Sequence, residues 1–150
     1  MFFGETAINL DAKGRLTIPV RYREVLEEEC GNRMVLTYSA FDSGSLWLQS
    51  KQTWERVRDE VMALPSFNAS HRSLQRRLVG SATAVEPDGN GRILLPPSLR
   101  QVAGLEKRVI LLGMGNRFEI WDEDRLNAQR AEEVEHLDEQ ASAEMARLVL

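Results

Sequence analysis

The chain has one cysteine, Cys30, in 150 residues, which excludes an internal disulfide. Two histidines, His71 and His136, join that thiol, and none of the three stands at metal-ligand spacing from another, so no metal is expected. Long apolar runs are missing too: the longest candidate, Val109 to Leu112, is strand-sized beside the roughly 18 residues of a membrane span. Met1-Phe2-Phe3-Gly4-Glu5 has no basic segment ahead of an apolar one and does not read as a signal peptide. A cytoplasmic location without membrane contact is therefore expected. No nucleophile–base set or cofactor loop occurs, which argues against an enzyme, a bound cofactor or a small-molecule substrate. The apolar fraction of 43% is ordinary for a globular protein, and the length suits one domain or two small halves sharing a core.

Positive charge is also short, with 19 basic against 23 acidic residues and a net charge of −4. That balance argues weakly against nucleic acid as a partner, but the distribution is uneven. Residues 1–100 hold 13 basic and 12 acidic side chains, and residues 101–150 hold 6 and 11. The acidity sits in the C-terminal part, leaving room for a basic face earlier in the chain.

What is present is a repeat. Asp11-Ala12-Lys13-Gly14-Arg15 returns as Asp88-Gly89-Asn90-Gly91-Arg92, a shift of 77. Upstream, Thr6-Ala7-Ile8 matches Thr83-Ala84-Val85. Downstream, Leu16, Ile18, Pro19, Arg23 and Val25 match Ile93, Leu95, Pro96, Arg100 and Val102. In each copy the sequence predicts a strand, the loop as a turn, and a returning strand, which together read as a hairpin. A helix then opens at Pro19 or at Pro96-Pro97. Its inward face is Tyr22, Val25, Leu26 and Cys30 in the first copy, and Leu99, Val102 and Ala103 in the second.

Two more strands follow in each copy: Met34 to Tyr38 and Leu46 to Leu48, then Val109 to Leu112 and Phe118 to Trp121. Ser50 and Asp122 read as N-caps of the next helices. Between the copies, one helix has Trp54, Val57, Val61 and Met62 on its apolar face. After Pro65 a second runs from about Asn68 to Val79, with Phe67, His71, Leu74 and Leu78 on one side. The last helix carries Leu126, Val134, Leu137, Ala141, Met145 and Leu148. These patterns divide the chain into units at 5–52 and 81–124, a helical connector at 53–80 and a C-terminal helix at 125–150.

Turn chemistry accounts for Asp11, Gly14, Asp88 and Gly91, because Asp accepts loop amides and Gly supplies a positive φ. It does not account for Arg15 and Arg92. A strand start has no geometric need for arginine, and two such side chains aimed outward suit phosphate or guanine. Lys13 adds a point charge in the first loop. Arg72, Arg76 and Arg77 read either as a solvated face or subunit contact, or as a DNA contact. Glu27-Glu28-Glu29 reads as a solvated face, and Asp122-Glu123-Asp124 as a cap complementing the helix dipole. His71 reads as a packed structural residue, and Trp47, Trp54 and Trp121 as core.

Two copies of Asp-x-x-Gly-Arg-x-x-x-Pro, with Arg21-Tyr22-Arg23, Gln75-Arg76-Arg77 and Phe118-Glu119-Ile120-Trp121-Asp122, make the whole chain resemble the MraZ family of bacterial transcriptional regulators. That resemblance implies an α+β fold of tandem AbrB-type (SpoVT-AbrB) swapped-hairpin halves, interleaved into one small β-barrel with flanking helices. It implies a ring homo-oligomer at the nucleoid that binds repeated double-stranded promoter boxes, as a repressor of the division and cell-wall gene cluster. Asp11, Lys13, Arg15, Asp88 and Arg92 become the DNA-contacting set, with Gly14 and Gly91 shaping the loops. Asn90 stands where the first loop has Lys13. AbrB-like units also occur in antitoxins, so a partner-binding role is the competing class.

Overall fold

A computed structural model describes residues 1–136 and 139–148. In chain order they form β1 (Phe2–Asn9), β2 (Arg15–Thr17), α1 (Val20–Cys30), β3 (Met34–Tyr38), β4 (Ser45–Ser50), α2 (Lys51–Met62) and α3 (Ala69–Gln75). After a π-helical turn at Arg76–Gly80 come β5 (Thr83–Val85), β6 (Arg92–Leu94), α4 (Pro97–Ala103), β7 (Arg108–Gly115), β8 (Arg117–Asp122), α5 (Glu123–Glu135) and α6 (Glu139–Ala146). The class is α+β. Six strands make an antiparallel sheet in the order β1-β7-β8-β4-β3-β5, and β2 pairs with β6 in a separate ribbon.

The hairpins expected across the repeated loops close only at the first rung, where the amides of Asp11 and Asp88 donate to the carbonyls of Arg15 and Arg92 at 3.1 and 2.9 Å. Beyond the turn the backbone goes to the other copy. Ile18 N–H donates to Gly91 O at 2.8 Å and Leu95 N–H to Gly14 O at 3.1 Å. β2 and β6 thus pair with each other, while β1 runs along β7 from Phe2↔Gly115 to Asn9↔Arg108. Apart from that rung, these two short strands make their ladder between the copies. Among the described residues β1 and β5 remain the ends of an open sheet, and no strand pairing closes a barrel.

The main core lies between the sheet and the layer made by the ribbon, α1 and α4. Alternation turns Leu36, Leu46, Leu48, Leu111, Phe118 and Ile120 inward, where they meet Leu16, Ile18, Leu26, Ile93, Leu95 and Leu99. Each such side chain contributes about 1.5–3 kcal/mol on burial. On the opposite face Trp47 packs with Val61 and Leu78, and Trp121 with Ile110 and Leu126. The two expected caps form: Ser50 Oγ accepts the amide of Thr53 at 3.2 Å, and Asp122 Oδ2 that of Arg125 at 3.1 Å.

Several residues expected inward are exposed. Phe67, 96% exposed, precedes the cap Asn68 and lies off the helix. Met62, the last residue of α2, is turned out beside the buried Val61, as Val102 is beside the buried Leu99 and Ala103. The helix expected from Asn68 to Val79 changes character at Arg76. There Thr37 Oγ1 donates to Arg77 O at 2.7 Å and Trp54 Nε1 to Leu78 O at 3.0 Å, engaging carbonyls at the π turn. The C-terminal helix is seen as α5 and α6, with Val134, Met145 and Leu148 exposed; Leu137 lies outside the described residues.

Leu26, 1% exposed, anchors α1 in the main core. Leu26→Asp is expected to cost several kcal/mol, comparable to the whole stability of a small domain. Thermal denaturation followed by circular dichroism should show the folded transition lost, and a wild-type melting curve would contradict this placement.

Candidate nucleic-acid interface

The register of the ribbon decides what its outer face carries. Leu16 opposes Ile93, flanked by Arg15↔Leu94 and Thr17↔Arg92. Opposed residues of an antiparallel pair share a face, and successive residues alternate. Leu16 and Ile93 are fully buried, so Arg15, Thr17, Arg92 and Leu94 stand together on the outward face. The two arginines lie on a diagonal of that face, within mutual reach of long side chains.

Both flanking loops are held by an aspartate. Asp11 Oδ1 accepts the amides of Lys13 and Arg15 at 2.9 and 2.8 Å, and Asp88 Oδ1 those of Asn90 and Arg92 at 2.9 and 3.0 Å. The backbone N–H of Arg15 is the main influence holding the Asp11 carboxyl below its ordinary pKa, and the N–H of Arg92 does the same for Asp88. Gly14 and Gly91 take φ of 77° and 74°, a conformation that a β-carbon disfavours.

The arginines differ in one respect. Arg15 is not simply aimed outward: its Nε donates to Asp11 Oδ2 at 2.6 Å, leaving the terminal nitrogens to face other groups. The Arg92 side chain makes no hydrogen bond or ion pair among the described residues, and Lys13 is exposed at the loop tip.

Arg23 and Arg100 belong to the same surface, and the sequence reading passed over them. Their Nε atoms donate to Ile18 O and Leu95 O at 3.0 and 3.1 Å. A β-carbon on Gly91 would run into the Arg23 side chain, and one on Gly14 into that of Arg100. Each arginine therefore lies against the loop of the other copy. Their match at the 77-residue shift was the available signal, as the alternation of Arg15 with Thr17 was for the outward face.

The remaining candidates have structural partners. His71 Nδ1 lies 3.1 Å from Pro65 O. Arg72 donates to Ser66 O and Phe67 O, and Arg77 to Ser39 O and Asp42 O, so two of that arginine cluster bind loop carbonyls while Arg76 is exposed. Cys30 is buried, and burial raises its thiol pKa. Among the described residues no group of three or more His, Cys, Asp or Glu is placed to hold a metal, and no helix is long and apolar enough to cross a membrane.

Comparison with known proteins adds an independent line. The family described as "MraZ protein, putative antitoxin-like" matches residues 1–77 and again residues 78–148. The chain belongs to the MraZ family. The two matches agree with the shift that aligns the loops. Among its MraZ relatives, "Transcriptional regulator MraZ" of Xanthomonas oryzae pv. oryzae is 50% identical over 123 residues, covering 82% of this chain and 83% of that protein. The MraZ protein of Stenotrophomonas maltophilia is 52% identical over the same shares. That of Thioalkalivibrio sulfidiphilus is 48% identical over 141 residues, 94% of this chain and 93% of its own length.

Two outcomes follow from the loop geometry. Gly14→Ala is expected to destabilise the protein by about 1–2 kcal/mol through its positive φ alone, with a further cost for displacing Arg100, measurable by denaturant unfolding. Because both aspartates have lowered folded-state pKa values, their contribution is fully present above the ordinary aspartate pKa and is lost as pH falls through the folded values. The protection of the amides of Lys13, Arg15, Asn90 and Arg92, taken relative to their intrinsic exchange rates, should therefore fall below a pH of about 4 before that of the core amides.

Proposed function

We propose that this chain is a sequence-specific DNA-binding transcriptional regulator that reads duplex DNA with the outward face of the β2–β6 ribbon. The observation that carries the reading is the diagonal pair Arg15 and Arg92, set between two aspartate-anchored loops in a chain whose relatives are named transcriptional regulators. Arginine forks suit phosphate and the major-groove edge of guanine. Lys13 adds a phosphate contact, and Asp11, Gly14, Asp88 and Gly91 shape the loops. Arg23 and Arg100 extend the cationic surface to the flanks.

The exchange of β2 and β6 supports reading units 5–52 and 81–124 as an AbrB-type swapped-hairpin pair, joined by the connector 53–80 and followed by the C-terminal segment 125–150. On this reading the protein is a repressor of the division and cell-wall gene cluster, acts without enzymatic chemistry, and works in the cytoplasm at the nucleoid. The net charge of −4 leaves a single chain weak on DNA, so repeated promoter boxes are bound by a ring of copies. Rigid linkage makes the later contacts intramolecular and gains about 10²–10⁴ in avidity. The antitoxin-like description of the family favours a second reading, in which the same surface holds a protein partner.

Gel-shift and anisotropy titrations on the upstream region of the gene test the first reading. Arg15→Ala and Arg92→Ala should each weaken binding by about 1–3 kcal/mol per site at matched salt. Arg15→Ala should have the larger effect, since its loop also carries Lys13. Arg92→Ala, which breaks no side-chain hydrogen bond or ion pair among the described residues, should keep the wild-type melting temperature. Wild-type affinity in both variants would reject the interface. A DNA with one box should bind far more weakly than three boxes in register, and equal affinity would reject the ring.

A further inference from the structure

Arg15 and Arg92 each stand on a peptide unit that is held from two sides. In the first loop the amide of Arg15 donates to Asp11 Oδ1 at 2.8 Å, and the carbonyl of the same peptide, Gly14 O, accepts Leu95 N–H at 3.1 Å. In the second loop Arg92 N–H donates to Asp88 Oδ1 at 3.0 Å, and Gly91 O accepts Ile18 N–H at 2.8 Å. The amide side is local to the loop, and the carbonyl side comes from the other copy of the repeat. Each aspartate therefore sets the shape of its own loop, whereas the other copy sets where that loop stands.

Arg100 and Arg23 complete the crossed side. Arg100 Nε donates at 3.1 Å to the carbonyl of Leu95, the residue whose amide holds Gly14, and its guanidinium lies over Gly14 itself. A β-carbon on Gly14 would stand 2.6 Å from Arg100 Nη1 and 2.7 Å from its Nε. Arg23 does the same at the second loop. Its Nε donates to Ile18 O at 3.0 Å, and a β-carbon on Gly91 would stand 2.5 Å from that Nε and 2.6 Å from Cζ. Both glycines are buried although they sit in loops, and both arginines are half-buried. The flat charged end of each arginine, not its aliphatic stem, meets the glycine. A lysine offers neither that plane nor a donor at the Nε position.

We propose that Arg100 and Arg23 are positioning residues for DNA reading, each acting on the loop of the opposite copy: Arg100 places Arg15, and Arg23 places Arg92. The inference rests on the ribbon reading proposed above and says what fixes the separation of its two arginine forks. Two forks engage one duplex together only when their separation is set in advance, and a loop free to shift loses affinity through the ordering it must then undergo. Because the braces cross, loss of one releases the loop it covers and leaves the loop of its own copy in place.

The test is a pair of double-mutant cycles on the full chain, read by anisotropy on the upstream duplex at matched salt. Arg100→Lys and Arg23→Lys keep the charge, so the general field at the ribbon is preserved. Each alone should weaken binding about tenfold, within the usual coupling of residues in contact. In an Arg15→Ala background Arg100→Lys should cost almost nothing further, and in an Arg92→Ala background it should keep its full effect; Arg23→Lys should show the reverse. Equal losses in both backgrounds would make each arginine an independent contact, and wild-type affinity in both lysine variants would leave neither a part in placement. Either result overturns the proposal. Amide exchange without DNA separates the braces from the DNA reading. Arg100→Lys should lower protection at Lys13 and Arg15 but not at Asn90 and Arg92, and Arg23→Lys the converse. That crossed pattern, found together with wild-type DNA affinity in Arg15→Ala and Arg92→Ala, would reject the interface and leave the braces standing. Uniform loss in both loops, or none, would reject the braces themselves. Arg100→Gln and Arg23→Gln repeat the exchange measurement if a lysine variant melts early.

Discussion

Everything on the candidate surface depends on the pairing of β2 with β6. Leu16 and Ile93 lie opposite one another and are fully buried, which pins the two copies together at the centre of the core. A one-residue slip would turn both outward and bring the arginines in, so the register is strongly specified by burial. Given that register, Arg15 and Arg92 cannot avoid sharing the outward face. The bonds from Ile18 to Gly91 and from Leu95 to Gly14 repeat the same exchange one step outside the ladder.

The loops on either side are rigid for a separate reason. Each aspartate collects two backbone amides, and each glycine admits an arginine from the other copy against its backbone. Groups ordered before binding do not have to be ordered during it, which is where much of the entropy cost of recognition lies. The two loops are not equivalent. Arg15 is braced by Asp11, whereas the Arg92 side chain has no such partner among the described residues and its loop has Asn90 in place of Lys13. On the proposed reading the first loop is the more strongly cationic half and the second the more adaptable one.

Net charge, a property of the whole chain, is a poor guide to such a surface. The excess of acid lies in the C-terminal segment, which the sheet does not bury after Arg130. At physiological ionic strength charges beyond about 8 Å are largely screened, so the local group of Lys13, Arg15, Arg92, Arg23 and Arg100 governs what approaches the ribbon. Keeping the acidic helix off that face matters more than the sum.

The sequence by itself determined the repeat, the approximate positions of most strands and helices, the caps at Ser50 and Asp122, and the aspartate and glycine loops, because these follow from contacts within a few residues of the chain. Period-two and period-3.6 patterns and turn chemistry are local, and so is the duplication that exposed Arg15 and Arg92. Tertiary structure alone decided which strands pair. A three-residue strand carries too little pattern to name its partner, and its ladder went to the other copy instead of across its own turn. It also decided that Arg15 is braced, that Arg23 and Arg100 stand on the opposite loops, and that Thr37 and Trp54 engage carbonyls at the π turn after α3. Each of these joins residues far apart in the chain, and their proximity is a consequence of packing that no local pattern encodes.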